Sequence, residues 1–203
     1  MTKHSNTLLC LGDSYTIGEG VPLHESFPYQ LVQLLREKGL HFQAPEIVAQ
    51  TGWTSFELAE HLLHTHLNEH YDFVTLLIGV NNQYRNLSLE DFKTDLDFLI
   101  KKAIHLTGDK NERVIVLSIP DWGFTPYAKH KNTTVISEEI NDFNTAVQKA
   151  AQQHHTQFIS ITEASKKVKE DETLLAKDHL HYSGKAMYNW ALDIADTVVE
   201  LLK

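Results

Sequence analysis

The chain has 203 residues, a size that suits one domain with a substantial hydrophobic core. Its 27 acidic and 18 basic side chains give a net charge of −9, which disfavours a nucleic-acid or anionic-membrane partner. The single cysteine, Cys10, excludes an intramolecular disulfide, and no apolar run approaches the roughly 18 residues of a membrane span. Because the first apolar stretch is also too short for a signal peptide, we expect a single cytoplasmic domain over residues 1–203.

Along the chain, short apolar runs alternate with longer segments in which apolar residues recur at helical spacing. Strands are predicted at residues 8–11, 46–49, 72–78, 113–119 and 157–161. Helices are predicted at residues 26–38, 88–104, 135–153 and 183–202, with a further helix that starts at Thr54 or Ser55 and carries Leu58, Leu62 and Leu63. This alternation predicts an α/β protein with a parallel sheet covered by helices on both faces.

The loop after the first strand holds the first candidate functional residue. Gly12 ends the strand, Asp13 and Ser14 follow, and the loop continues to Gly18 and Gly20. A buried strand that delivers a hydroxyl into a glycine-flanked loop is one way to present a nucleophilic serine. The same pattern fits an ordinary turn serine, and it does not decide between the two interpretations by itself.

Other polar and aromatic residues follow the later strands in the same way. In open parallel sheets, functional sites form beyond the carboxyl ends of the strands. Four positions follow strands one to four and should therefore share one edge of the sheet: Ser14, Gly52, Asn81, and the pair Trp122 and Phe124. Asp178 and His181 precede the last helix and can reach that edge.

Four sequence blocks together resemble those of the SGNH (GDSL-type) hydrolases. They are Gly12-Asp13-Ser14-Tyr15, Gly52, Gly79-Val80-Asn81-Asn82 and Asp178-His179-Leu180-His181, in that order along nearly the whole chain. The resemblance implies a three-layer α/β/α flavodoxin-like fold with a five-stranded parallel sheet of order 2-1-3-4-5. It also implies a serine esterase or related acyl hydrolase.

The residue types in these blocks suit nucleophilic catalysis. Serine at its free pKa is a weak nucleophile, so His181 would take its proton and later protonate the leaving alcohol. Asp178, three residues earlier, would orient that imidazole, whereas the neighbouring His179 is the less favoured base. The backbone N–H groups of Ser14 and Gly52 and the side-chain amide of Asn81 would bind the oxyanion. This chemistry requires no cofactor and no metal.

Aromatic residues around the same edge are candidates for the substrate pocket. Trp53, Tyr84, Trp122 and Phe124, together with Tyr127, follow strands there and would line a pocket for the acyl or alcohol part of a small-molecule ester.

Two residues differ from the usual blocks. Tyr15 stands where leucine is common, which we interpret as a change in packing. Asn82 stands where the third block usually has aspartate, which changes the electrostatics behind Asn81.

A second motif points to different chemistry. His66-Leu67-Asn68-Glu69-His70 matches the H-x-x-E-H pattern of one class of zinc enzymes, and with His61 and His64 it would put four histidines on one helix. The motif precedes the third strand, so it lies at the opposite edge of the sheet from Ser14. A solvated helix end is the favoured interpretation.

Four functions therefore remain open, one of them a zinc hydrolase built on the His66–His70 motif. Hydrolysis of carboxylic esters is favoured. Thioester hydrolysis or acyl transfer could use the same triad, because the acyl-enzyme is the same whether an alcohol or a thiol has left. A flavodoxin-like binding module is disfavoured, since it explains neither Gly52 and Asn81 nor the Asp178–His181 pair.

Overall fold

A five-stranded parallel sheet forms the centre of the molecule. A computed structural model describes residues 5–203, and the strands within it are β1 Leu8–Gly12, β2 Glu46–Ala49, β3 Phe73–Leu77, β4 Val114–Leu117 and β5 Gln157–Ile159. They pair in the order β2-β1-β3-β4-β5, and every pair is parallel. The predicted α/β class and strand order are confirmed.

The three central strands are apolar except for the buried Thr75 of β3, because both faces of the sheet are covered. Every residue of β1, β3 and β4 is buried, whereas the edge strands β2 and β5 are mostly half-buried. Unbroken apolar runs of this kind are typical of parallel strands packed on both sides. Cys10 lies in the middle of β1, where burial raises the pKa of its thiol to about 12, so it acts as a small apolar side chain.

Eight α-helices lie within residues 5–203. Their bounds are α1 Ser14–Ile17, α2 Phe27–Glu37, α3 Ser55–His64, α4 Val80–Tyr84, α5 Leu89–Leu106, α6 Thr133–Gln153, α7 Thr162–Lys166 and α8 Gly184–Leu201. On one face of the sheet α2 packs against α8, and on the other α5 packs between α3 and α6. The short helices α1, α4 and α7 have too few turns to show helical periodicity in the sequence. In this part of the chain no helix combines the length and apolarity that crossing a membrane requires.

The third helix confirms one expectation, its start at Thr54, and corrects another. Thr54 and Glu57 form a capping box that starts α3, and Leu58 and Leu62 are buried, but Leu63 is 66% exposed and does not belong to the apolar side. The helix ends at His64, so the prediction that His66 and His70 share it is wrong. Throughout residues 5–203, no group of three or more His, Cys, Asp or Glu side chains is arranged to hold a metal ion.

Candidate active site

Ser14 lies directly beyond the carboxyl end of β1, as the first residue of α1. Asp13 caps this short helix, because its Oδ1 accepts a hydrogen bond from the N–H of Tyr15 at 3.0 Å. Gly12 has no space for a side chain, since a Cβ there would collide with Thr16 and with the carbonyl oxygen of Leu77. The sharp exit from the strand therefore requires glycine, and it leaves the Ser14 side chain facing the sheet edge.

The segment before α8 presents His181 to Ser14. Asp178 folds this segment by accepting hydrogen bonds at Oδ1 from the N–H groups of Leu180 (3.0 Å) and His181 (2.9 Å). An antiparallel bridge between Leu175 and Tyr182 closes the base of the loop. The local chain thus holds the carboxylate and the imidazole side by side.

Three side chains form a continuous hydrogen-bonded chain. Asp178 Oδ2 lies 2.6 Å from His181 Nδ1, and His181 Nε2 lies 3.0 Å from Ser14 Oγ. Partial burial alone would raise the pKa of Asp178, but hydrogen bonds from the His181 ring and from two backbone N–H groups lower it below its ordinary value. The carboxylate is therefore ionised at neutral pH and faces the imidazole.

The neighbouring histidine points elsewhere. His179 has a positive φ of 59° and an exposed side chain, and its carbonyl oxygen accepts from the N–H of Tyr127 at 3.3 Å. It is His181, at the fourth position of the block, that contacts Ser14.

Gly52 lies in a tight turn beyond β2. The N–H of Trp53 donates to the carbonyl of Gln50 at 3.2 Å, and Gly52 has a φ of 82° while Thr51 has a negative one, which defines a type II turn. A Cβ at Gly52 would meet only Arg85 Nη2, at an ordinary 3.5 Å, so the backbone conformation rather than space requires glycine here. The Gly52 N–H has no hydrogen-bond partner within residues 5–203.

Asn81 and Asn82 begin α4 but face in different directions. The amide nitrogen of Asn81 donates one hydrogen bond to the carbonyl of Trp53 at 3.0 Å, which fixes the amide and leaves its second N–H available. Asn82 is buried and faces α3, where its Oδ1 accepts from the N–H of Ser55 (2.9 Å) and its Nδ2 donates to Ser55 Oγ (2.7 Å). Ser55 Oγ in turn donates to Asp95 at 2.6 Å.

This network gives a physical reason for the asparagine at position 82. An amide can accept from the Ser55 N–H and also donate to the Ser55 hydroxyl, whereas an ionised carboxylate can only accept. With asparagine there, the hydroxyl remains free to donate to Asp95.

These residues surround one cavity of about 170 Å³. The cavity is lined by Ser14, Tyr15, Thr51, Gly52, Val80, Asn81, Tyr84, Trp122, Tyr127, Leu180 and His181. It therefore brings together Ser14, Gly52, Asn81 and His181, which come from four separate parts of the chain.

Three of the five aromatic candidates line the cavity and two do not. Tyr84, Trp122 and Tyr127 are in its wall, whereas the ring of Trp53 packs against His61 at 4.7 Å. Phe124 lies near Lys166, whose amino nitrogen is 5.6 Å from the ring centre. Of the five, Tyr84, Trp122 and Tyr127 therefore remain as candidates for contact with a substrate.

Several lining residues were not identified from the sequence as substrate contacts. Thr51, Val80 and Leu180 line the cavity, and the hydroxyl groups of Tyr127 and Tyr84 lie 3.1 Å apart. Trp122 is anchored by a 2.7 Å hydrogen bond from its Nε1 to Gln83. Side chains of these types carry no local signal of which cavity they face.

Tyr15 packs into the core behind the site. Its ring lies 5.7 Å from the ring of His181 and 5.5 Å from that of Tyr182. It is 2% exposed, so the residue that replaces the usual leucine supports the imidazole from behind.

Comparisons with known proteins agree with this fold. The model of the GDSL-like Lipase/Acylhydrolase family matches residues 10–187. Among solved structures, TesA is 19% identical with a TM-score of 0.74, and the match covers 95% of this chain and 97% of TesA. Axe2, an acetylxylan esterase from Geobacillus stearothermophilus, is 17% identical with a TM-score of 0.72, covering 98% of this chain and 95% of Axe2.

A lipase/acylhydrolase from Enterococcus faecalis is 22% identical with a TM-score of 0.69, and the match covers 95% of both chains. At identities this low, such likenesses show a common fold and nothing more. A search of curated protein sequences found no match.

Proposed function

Because this chain belongs to the GDSL-like lipase/acylhydrolase family, whose members are ester-hydrolysing enzymes, we propose that it cleaves carboxylic esters through an acyl-serine intermediate. The observation that carries the proposal is the hydrogen-bonded chain from Ser14 through His181 to Asp178, with distances of 3.0 and 2.6 Å. Such a chain supplies a nucleophile, a base and an orienting carboxylate. We propose that one domain over residues 1–203 carries the whole activity.

The first step would transfer the Ser14 proton to His181. His181 Nε2 is within hydrogen-bonding distance of Ser14 Oγ, so it accepts the proton as Oγ attacks the ester carbonyl carbon. The same nitrogen then donates the proton to the departing alcohol as the carbon–oxygen bond breaks. Asp178 holds Nδ1 protonated, which keeps Nε2 free to accept, and it stabilises the imidazolium that forms.

The negative oxygen of the tetrahedral intermediate would be bound by three donors. The N–H groups of Ser14 and Gly52 have no partner within residues 5–203, and Asn81 has a second amide N–H available beside its bond to Trp53. Donors held in place before the reaction stabilise this charge without reorganisation, and losing one typically costs about 10²–10³ in kcat.

The direct test of the nucleophile is covalent labelling. A serine-directed fluorophosphonate should modify the protein once, and peptide mass spectrometry should place the modification on Ser14. A label on another residue would contradict the proposal. Esters and thioesters of equal acyl length, assayed side by side, distinguish an esterase from a thioesterase that uses the same residues.

The pH dependence tests the base. A histidine base accepts the Ser14 proton only in its neutral form, so activity should rise with pH through the neutral range. Asp178 does not produce this rise, because its lowered pKa keeps it ionised throughout that range. The measurement is kcat/KM against pH with a substrate for which the chemical step limits the rate.

A second carboxyl group beside the nucleophile provides the control. Burial raises the pKa of Asp13 to about 7, so its own titration falls in the same window. Asp13→Asn removes that titration and can keep the cap on Tyr15 through its amide oxygen. The rise should persist in this variant, and its disappearance would assign the titration to Asp13 instead of His181.

The Asn81 amide has a structural role and a proposed catalytic role that predict different effects. Asn81→Ala should lower kcat by about 10²–10³ with little change in KM, since the interaction forms mainly in the transition state. Loss of its bond to Trp53 alone would instead lower the melting temperature and leave the turnover of folded protein nearly intact. Steady-state kinetics and thermal unfolding on the same preparation separate the two.

Asn82→Ala is the matched control for this substitution. Asn82 faces Ser55 and not the cavity, so its loss should weaken the cap of α3 and lower thermal stability more than kcat. Equal losses of kcat at both positions would mean that the catalytic amide is assigned to the wrong residue.

A further inference from the structure

Three packed aromatic side chains, Tyr84, Trp122 and Tyr127, form one wall of the cavity, which we call the aromatic wall. The ring of Trp122 lies 5.4 Å from that of Tyr84 and 6.2 Å from that of Tyr127, and both pairs are close to edge-to-face. Trp122 Nε1 donates to Gln83, whose amide nitrogen donates in turn to Glu139 at 2.7 Å. Ring packing and a polar anchor therefore hold the indole in place.

The two tyrosines bring the aromatic wall to the protein surface. Tyr84 and Tyr127 are 45% and 44% exposed, whereas Trp122 is 4% exposed. The hydroxyl oxygens of the two tyrosines lie 3.1 Å apart, a hydrogen-bonding distance that leaves no room for a methylene chain between them. A chain that extends from Ser14 towards these rings therefore ends against the aromatic wall.

The cavity is small for an ester. Its volume of about 170 Å³ is close to that of an apolar cavity of about 150 Å³ that binds one benzene molecule, which has six carbon atoms. The reacting ester group itself supplies one carbon and two oxygens. About three further carbon atoms would fill the remaining space, which corresponds to an acyl group of about four carbons.

The acyl group is the part of the substrate that an enclosed space suits. It stays bonded to Ser14 until water releases it, whereas the alcohol leaves from beside His181 Nε2 and water then takes its place. The segment that carries His181 lies at the surface, with residues 177–179 exposed. Val80 and Trp122, which line the cavity together with the two tyrosines, are buried. A retained acyl group on the enclosed side and an exchanging alcohol on the exposed side fit this arrangement.

We propose that the aromatic wall is the end of an acyl pocket and restricts the substrates to esters of short unbranched acids, up to about four carbons. This inference rests on the proposed function, since it names the substrate class of the same site. The wall acts by excluding longer chains. One methylene too many in a hydrophobic pocket typically costs about tenfold or more in kcat/KM.

The first test varies one half of the ester at a time. With p-nitrophenyl esters of unbranched acids, kcat/KM should fall about tenfold or more from the butyrate to the octanoate ester. With butyrate esters of methanol, butanol and hexanol, kcat/KM should show no comparable fall, because the alcohol lies outside the acyl pocket. Hydrolysis of the octanoate as fast as the butyrate, or a size limit in the alcohol series, would overturn the proposal.

Removing one tyrosine ring should lengthen the acyl pocket. Tyr127→Ala breaks the hydroxyl pair but keeps the backbone N–H that donates to His179, and the exposed ring contributes little to the core. The ratio of kcat/KM for the octanoate over the butyrate ester should rise about tenfold in Tyr127→Ala, and Tyr84→Ala should act in the same direction. Tyr188→Ala is the matched control, because Tyr188 is 41% exposed on α8 and does not line the cavity.

This ratio compares two substrates of one enzyme, so a general loss of activity or stability does not move it. Tyr188→Ala should keep the wild-type ratio. A ratio that is unchanged in both Tyr84→Ala and Tyr127→Ala would overturn the proposal.

A binding measurement keeps this inference separate from the proposed function. In Ser14→Ala, butyrate should shift the NMR signal of the Trp122 indole N–H, and octanoate at the same concentration should not. The absence of that signal from Trp122→Phe identifies it. A missing shift with butyrate, or an equal shift with octanoate, would overturn the acyl pocket. If butyrate binds as expected and the wild-type protein shows no Ser14-dependent ester hydrolysis, the proposed function alone is overturned.

Discussion

Ser14→Ala should fold normally and lose ester turnover by several orders of magnitude, roughly 10⁴–10⁶ in kcat. The substitution removes the only hydroxyl within residues 5–203 that lies within hydrogen-bonding distance of His181 Nε2, at 3.0 Å. Thr16, the other aliphatic hydroxyl of α1, is fully buried and does not line the cavity, so it cannot take over. Residual activity above the uncatalysed rate would come from substrate binding and the oxyanion donors.

The measurement is kcat on protein shown to be folded by circular dichroism and thermal unfolding. Ser26→Ala is a suitable control, because Ser26 is also buried and its Oγ donates a 2.8 Å hydrogen bond to the carbonyl of Leu23, away from the cavity. That variant should lose stability and keep its turnover. If Ser14→Ala retains more than a few per cent of wild-type kcat, the nucleophile lies elsewhere.

Asp178→Asn should lower kcat by a factor of about 10⁴, because it would favour the tautomer of His181 that cannot accept the proton of Ser14. Oδ1 of Asp178 accepts from two backbone N–H groups, so the single oxygen of an asparagine would remain on that side. The amide NH₂ would then face Nδ1 of His181 in place of Oδ2 and would donate to it. Nδ1 would lose its proton to Nε2, which could no longer accept the proton of Ser14.

Asp171, seven residues before Asp178 in the sequence, serves as the control, because it too accepts from the N–H two residues on and pairs with a basic side chain. Asp171 accepts from the N–H of Thr173 at 3.0 Å and pairs with Lys185 at 2.7 Å, but it does not line the cavity. Asp171→Asn should leave kcat unchanged. A loss of less than tenfold in folded Asp178→Asn would mean that the carboxylate does not control the tautomer.

The sequence was sufficient to predict the architecture, because strands that are buried on both faces are continuous apolar runs. The apolar runs of β1, β3 and β4 contain no alternation, and the predicted strands and helices with stated bounds agree with the structure to within two residues. Since parallel strands all end at one edge, the order of elements also placed Ser14, Gly52 and Asn81 near one another. The contact between Asp178 and His181 was predictable too, because three residues of spacing within one turn determine it.

The contacts between segments that are distant in the sequence were determined only by the tertiary structure. Ser14 and His181 are 167 residues apart, so the contact between them depends on how the segment before α8 packs beside the end of β1. The same holds for Arg85, which reaches Gly52 across 33 residues, and for Asn82, which caps a helix 27 residues before it. Local spacing determines contacts within a turn, whereas contacts between loops depend on how the helices and sheet pack. For that reason the aromatics beyond the strands could be assigned to an edge of the sheet but not to the wall of a particular cavity.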